Sequence, residues 1–254
     1  MVLAMSFIEI RTPQKFTNPE GLILVPDLSS NLLVDLDADT IQGSHGSTIS
    51  RWEAGGELGI VLDTPIPYTD ANQMPTLGEN GAGGRNYVQF TSSNSLYAAS
   101  RTPIAGEDEP ITVAFVLRDD SSVTTGRILG GHDAAPNYRN IQMLGNKVAV
   151  GGSVSGQGEL RAVLPSVAPV GEWGAYVARS GNGKLSIMSS FGGSVEIDAL
   201  SGPLTGLVMG TNFGGNAPLT GSIACLRIYG REMTDAESKI LLQNISDSYS
   251  IPVA

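Results

Sequence analysis

Apolar residues recur at every second position over short runs, and turn-forming residues separate the runs. That is the period of half-buried β-strands. The pattern predicts strands over 48–53, 59–62, 86–90, 111–118, 126–130, 140–144 and 147–151. It predicts further strands over 159–163, 172–179, 184–190, 194–197, 205–210 and 221–229. Gly-rich and Asn-rich turns join them, among them Gly151-Gly152, Gly181-Asn182-Gly183 and Gly192-Gly193. Asn182-Gly183 between two alternating runs is a strong hairpin signal, because the tight hairpin turn needs positive φ at both central residues. About a dozen short strands joined in this way describe an all-β sandwich or barrel.

One segment departs from the period of two. Thr234-Asp235-Ala236-Glu237 reads as a capping box, in which the threonine hydroxyl and the glutamate carboxylate each bond the other's backbone amide. Ala236, Ile240, Leu241 and Ile245 follow at helical spacing, so residues 235–246 are expected to form one short amphipathic helix packed on the sandwich, with Pro252 beyond its end. The stretch 63–85, rich in Pro, Gly and Asn, is expected to cross the surface in an ordered way. Residues 1–20 are read as an N-terminal arm or attachment segment, and residues 21–254 as one domain.

Charge narrows the partners. The 254 residues hold 25 acidic and 15 basic side chains, a net charge of −10. Nucleic-acid backbones and anionic membranes demand clustered Lys and Arg, so neither is an expected partner. No run approaches the ~18 apolar residues of a membrane span. The start, Met1 to Ile8, has no basic residue before its apolar run, and Glu9 ends it; no secretory signal is expected. A single cysteine, Cys225, excludes an intrachain disulfide and a Cys-rich zinc site, and two histidines leave little for His-based chemistry.

Four constellations invite a chemical reading. Asp35-Leu36-Asp37-Ala38-Asp39 starts like an EF-hand loop, but the sixth and twelfth positions are Thr40 and Gly46 instead of Gly and Glu. A calcium site of another kind, or carboxylates capping nearby amides, are the readings left. Glu196-Ile197-Asp198 places two acids on one strand face at a spacing compatible with glycoside hydrolysis. The third acid of sandwich glucanases is missing, since Leu200 and Ser201 stand there. Ser44-His45 is a polar turn without an orienting acid, and Cys225 in Ile223-Ala224-Cys225-Leu226 reads as a buried small hydrophobe. The last constellation is a carbohydrate surface on two loops, 132–140 and 211–216. Its candidate contacts are Asn137, Tyr138, Arg139, Asn212, Phe213 and Asn216, with Tyr138 and Phe213 as stacking faces. Trp52 and Trp173 lie mid-strand and are expected in the core.

The order of these pieces resembles the laminin-G-like members of the concanavalin A-like lectin/glucanase superfamily. The resemblance is carried by Leu33-Val34-Asp35-Leu36-Asp37-Ala38-Asp39-Thr40, by Ile49-Ser50-Arg51-Trp52, and by Val88-Gln89-Phe90 after Asn80-Gly81. Gly171-Glu172-Trp173 with its hairpin, and Gly221 to Tyr229 followed by Arg231 and the capped helix, complete it over roughly 28–248. It implies a two-sheet antiparallel jelly-roll sandwich with one short C-terminal helix, and it implies no single activity. The expectation is a non-enzymatic surface recognition or adhesion module that binds a cell-surface polysaccharide. It would sit on a virion, as a decoration, head-fibre or spike protein of a phage or phage-like particle, or on an extracellular surface. It would be a homo-oligomer or repeated in an assembly, with residues 1–10 engaging virion proteins. No cofactor is expected, calcium being left open. The alternatives are a purely structural virion protein and a glycoside hydrolase of the same fold.

Overall fold

The computed structural model describes residues 17–18, 21–22, 27–63, 74–91, 96–98, 102–121, 125–131, 137–211 and 217–254. Its strands, numbered in chain order, form two antiparallel eight-stranded sheets. The first runs Ser194–Asp198 (β17), Lys184–Ser189 (β16), Trp173–Gly181 (β15), Ile111–Asp119 (β10), Gly221–Tyr229 (β20), Tyr87–Phe90 (β7) and Thr76–Gly78 (β6). Leu32–Asp37 (β3) pairs with the second half of β20, beyond the stretch that pairs with β7. The second sheet runs Gly158–Val163 (β14), Lys147–Val154 (β13), Tyr138–Leu144 (β12), Thr125–Gly130 (β11), Val208–Met209 (β19), Leu96–Ala98 (β8), Val61–Asp63 (β5) and Arg51–Glu53 (β4). Two small pairs, Thr17–Asn18 (β1) with Gly21–Leu22 (β2) and Pro103–Ala105 (β9) with Leu204–Thr205 (β18), stand apart. One α-helix, Asp235–Ser248 (α1), ends the chain.

Between the sheets lies a core that includes Leu36, Trp52, Phe90, Phe115, Ile141, Met143, Tyr176 and Leu226. A second apolar layer lies on the back of the first sheet. There Ala114, Val116, Ala175, Val177, Ala224 and Cys225 meet Leu241, Leu242 and Ile245 of α1. Both faces of these central strands are covered, which is why 113–117 and 223–226 are apolar at consecutive positions and not only at every second one. The small residues at 114, 175 and 224 let the helix approach closely.

Local signals in the sequence are realised in the backbone. Asn182 and Gly183 take φ of 53° and 72°, closing the β15–β16 hairpin. Thr234 and Glu237 make both halves of the capping box. Ser250, at φ 53°, turns the chain after α1.

Several expectations are corrected. The run 205–210 is not one strand; Gly206, at φ 68°, breaks it into β18 and β19, which belong to different sheets. The expected strand 48–53 is ordered as a strand only from Arg51, and β6 lies inside the expected crossing. The buried face of α1 is Ser238, Leu241, Leu242, Ile245 and Ser246, while Ala236 is exposed. Serines occupy that face because their small side chains fit against the sheet. Trp173 is half-buried at the margin of the second layer, edge-on to Tyr87 at 5.4 Å, with the Arg118 guanidinium 5.1 Å above its ring. Trp52 is in the core, 1% exposed.

Candidate functional site

Helix α1 covers the back of the first sheet, and the back of the second sheet carries a set of polar side chains. Side chains alternate across a strand. Ile141 and Met143 of β12, Val148 and Val150 of β13 and Ala162 of β14 point into the core. Tyr138, Asn140 and Gln142, then Ala149, Gly151 and Ser153, then Glu159 and Arg161 therefore share the opposite face. Register sets them side by side: Tyr138, Ser153 and Glu159 in one row, Asn140, Gly151 and Arg161 in the next, Gln142 and Ala149 in the third. A bulge in β11 between Arg127 and Leu129 turns Ile128 and Leu129 to the core and sets Arg127 opposite Gln142.

The result is a largely buried polar basin centred on the small residues Ala149, Gly151 and Ser153. A Cβ added at Gly151 would stand 3.0 Å from Asn140 Oδ1, 3.4 Å from Glu159 Oε1 and 3.5 Å from Arg161 Cγ. Glu159 accepts from Arg161 Nη2 and from Asn140 Nδ2. These bonds, Arg161 first, outweigh burial and hold its carboxyl below the usual range. The Arg127 guanidinium lies 5.4 Å from the Tyr138 ring centroid. Burial pushes the Tyr138 phenol up, so its hydroxyl stays a neutral donor and acceptor. Burial also pushes the Arg127 guanidinium down from its usual value. Asn140 and Gln142 are 3% and 2% exposed, yet Asn140 Oδ1, Gln142 Nε2 and Arg127 Nε have no hydrogen-bond partner. Buried polar atoms in native proteins are nearly always paired, so three orphans on one strand face single this place out.

The expected binding residues divide. Tyr138 lies in the basin, half-buried. Asn137, at its edge, uses Oδ1 to accept the Ser155 amide at 2.7 Å. Arg139 faces the other way and is 3% exposed. It donates to the carbonyls of Gly202 (2.6 Å), Glu109 (2.9 Å) and Gly106 (2.8 Å) and to Ser180 Oγ (3.2 Å). The sequence placed Arg139 on the rim; the structure places it inside as a staple, because strand alternation sends it opposite to Tyr138. Asn212, Phe213 and Asn216 lie outside the described residues. Arg127, Gln142, Glu159 and Arg161 were not read from the sequence. The alternation of polar residues at 138, 140 and 142 and at 159 and 161 around Gly151 was the available signal.

No family model matches the chain, and no curated protein matches it in sequence. Solved structures do match in shape. The binding domain of Paraclostridial Mosquitocidal Protein 1 aligns over 85% of this chain and 52% of its own, at TM-score 0.60 and 10% identity. The botulinum neurotoxin serotype G binding domain aligns over 86% and 52%, at TM-score 0.61 and 9% identity. Domain 4 of AbnA, a GH43 extracellular arabinanase from Geobacillus stearothermophilus solved in complex with arabinotriose, aligns over 85% and 100%, at TM-score 0.52 and 16% identity.

The fold is a concanavalin A-like jelly roll. This chain spans about half the length of the toxin binding domains it matches.

The acids of this jelly roll are engaged elsewhere. Asp35 binds Arg227 at 3.0 Å; Asp37 and Asp39 bind Arg85 at 2.9 and 2.6 Å. Asp37 also caps the Asp39 amide, and Asp39 sits on a 3-10 turn beyond the strand. No group of three metal-ligating side chains occurs among the described residues. Glu196 has both carboxylate oxygens occupied, by Arg179 at 3.1 Å and Lys184 at 2.5 Å. Asp198, on the same face of edge strand β17, pairs in register with Lys184. Asp108 accepts the Gly183 amide at 2.7 Å and anchors the hairpin. Cys225 is buried beneath α1, and burial pushes its thiol up to about 11. A groove of about 600 Å³ beside Thr40, Gln42, Arg51 and Glu53 is a second depression, and there Arg51 and Glu53 pair with each other at 2.8 Å.

Proposed function

We propose that this chain is a non-enzymatic recognition module that binds carbohydrate through the back of its second sheet. The observation that carries the reading is the set of orphaned polar atoms, Asn140 Oδ1, Gln142 Nε2 and Arg127 Nε, beside the Tyr138 ring. Sugars supply hydroxyls that donate and accept at once and an apolar face that lies on an aromatic ring. The three structural matches support a binding role, since two are titled binding domains and the third was solved with arabinotriose. The engagement of Glu196 by two cations argues against its use as a catalytic acid.

Asn137 stays in the proposal at the edge of the site, and Asn212, Phe213 and Asn216 stay in it as candidates read from the sequence. The place of action, a virion or an extracellular surface, and a repeated assembly there belong to the proposal as well. A glycan-array screen of the purified protein, run with calcium and with chelator, tests it. Specific binding, weakened about tenfold by Tyr138→Ala, is expected. A blank in both buffers from folded protein would overturn the saccharide reading in favour of a structural part whose ligand is another protein.

A further inference from the structure

Resting on the saccharide reading, we infer that the basin takes an acidic sugar, with a carboxylate or sulfate seated against Arg127 and Gln142. Asn140 accepts from a neighbouring hydroxyl of the same residue. Arg127 and Gln142 are direct cross-strand partners, and each has a buried N–H donor without an acceptor. Two converging donors fit the oxygens of one anionic group. Asn140, two residues before Gln142 on the same face, offers the opposite polarity through its unpartnered Oδ1.

Charge decides between an acidic and a neutral sugar. Among the described residues no carboxylate comes within ion-pair distance of Arg127, while Glu159 is held by Arg161. The basin thus holds two arginines and one glutamate, a local excess of one positive charge in a chain of net −10. Burial lowers the proton affinity of Arg127, and Glu159, which Arg161 also engages, offsets that cost only in part. An anionic group on the ligand removes that cost through charge-assisted hydrogen bonds, whereas a neutral hydroxyl leaves it. Gly151 and Gly130 flank Asn140 on either side in register, so neither neighbouring strand sets a side chain directly beside it.

The test uses the wild-type full chain and calorimetric titration with four polymers. These are polygalacturonate, its methyl-esterified form, a sulfated galactan and its desulfated form. At least tenfold tighter binding to a charged polymer than to its neutral partner is expected, and which pair shows it names the anion. Arg127→Gln, which retains a donor but no charge, is expected to abolish that preference. Should Arg127→Gln fail to fold, the ester comparison on wild-type protein decides alone. Equal binding of charged and neutral partners would overturn the inference. Binding of neutral glycans on the array with no binding of either charged polymer would overturn it too, and would leave the saccharide reading standing. No binding to any glycan would overturn both.

Discussion

Arg139 Nε donates to the carbonyl oxygen of Gly202 across 2.6 Å, between residues 63 positions apart in the chain. The same guanidinium holds the Gly106 and Glu109 carbonyls, so one buried side chain ties the β9–β10 loop to the β17–β18 loop. Arg139→Ala would leave these carbonyls unpaired. The expected loss is about 3–5 kcal/mol by denaturant titration, with Arg139→Lys recovering only part because it lacks the planar fork. A loss below about 1 kcal/mol would show that water replaces the guanidinium easily.

Gly151 is the floor of the basin. In Gly151→Ala the new methyl meets Asn140 Oδ1 at 3.0 Å, so the amide must move. Saccharide affinity is expected to fall about tenfold while stability changes by less than about 1.5 kcal/mol. Unchanged affinity with an intact fold would place the ligand elsewhere.

Thr234 caps α1, and α1 covers Cys225. Thr234→Ala removes one cap bond and should cost about 1 kcal/mol. If the thiol reacts through lifting of the helix, its labelling by a thiol reagent should quicken about fivefold, following the opening equilibrium. Unchanged labelling kinetics would mean that Cys225 is reached only by global unfolding.

Acid should weaken the same helix end. The backbone amide of Thr234, and then Arg231, hold the Glu237 carboxyl below its ordinary value. A carboxyl lowered on folding stabilises above its unfolded value, here 4.5, and that contribution disappears as pH falls through the lower folded value. The stability gap between wild type and Glu237→Gln should therefore shrink as pH drops from about 6 to about 3. Asp119 has the opposite sign, since burial raises its carboxyl. Its ionisation opposes folding, so Asp119→Asn should gain stability relative to wild type as pH rises through the same range. Parallel curves for either variant would refute the linkage.

Calcium should leave the melting temperature unchanged, because Arg227 and Arg85 already neutralise Asp35, Asp37 and Asp39. A calcium-dependent rise in melting temperature, removed by chelator, would show that the cation displaces an arginine.

Much of the framework was legible. The hairpin at Asn182-Gly183 and the capping box at Thr234 each state a local backbone requirement. Of the site, Tyr138 was legible as an aromatic near a polar loop. Arg139 was misplaced because the sequence shows a polar cluster without showing where the strand begins; β12 already starts at Tyr138, and alternation then sends neighbours to opposite faces.

The sequence by itself determined strand and turn periodicity, the capped helix α1 and the exclusion of an intrachain disulfide, since each depends on residues within a few positions of one another or on composition. Tertiary structure decided what each polar side chain meets. Asp35 finds Arg227 across 192 positions, and Arg139 finds three carbonyls from two loops. Arg127, Asn140 and Gln142 share a face on which their buried polar atoms find nothing. Partners brought together from distant strands depend on sheet order and register, which no local pattern carries.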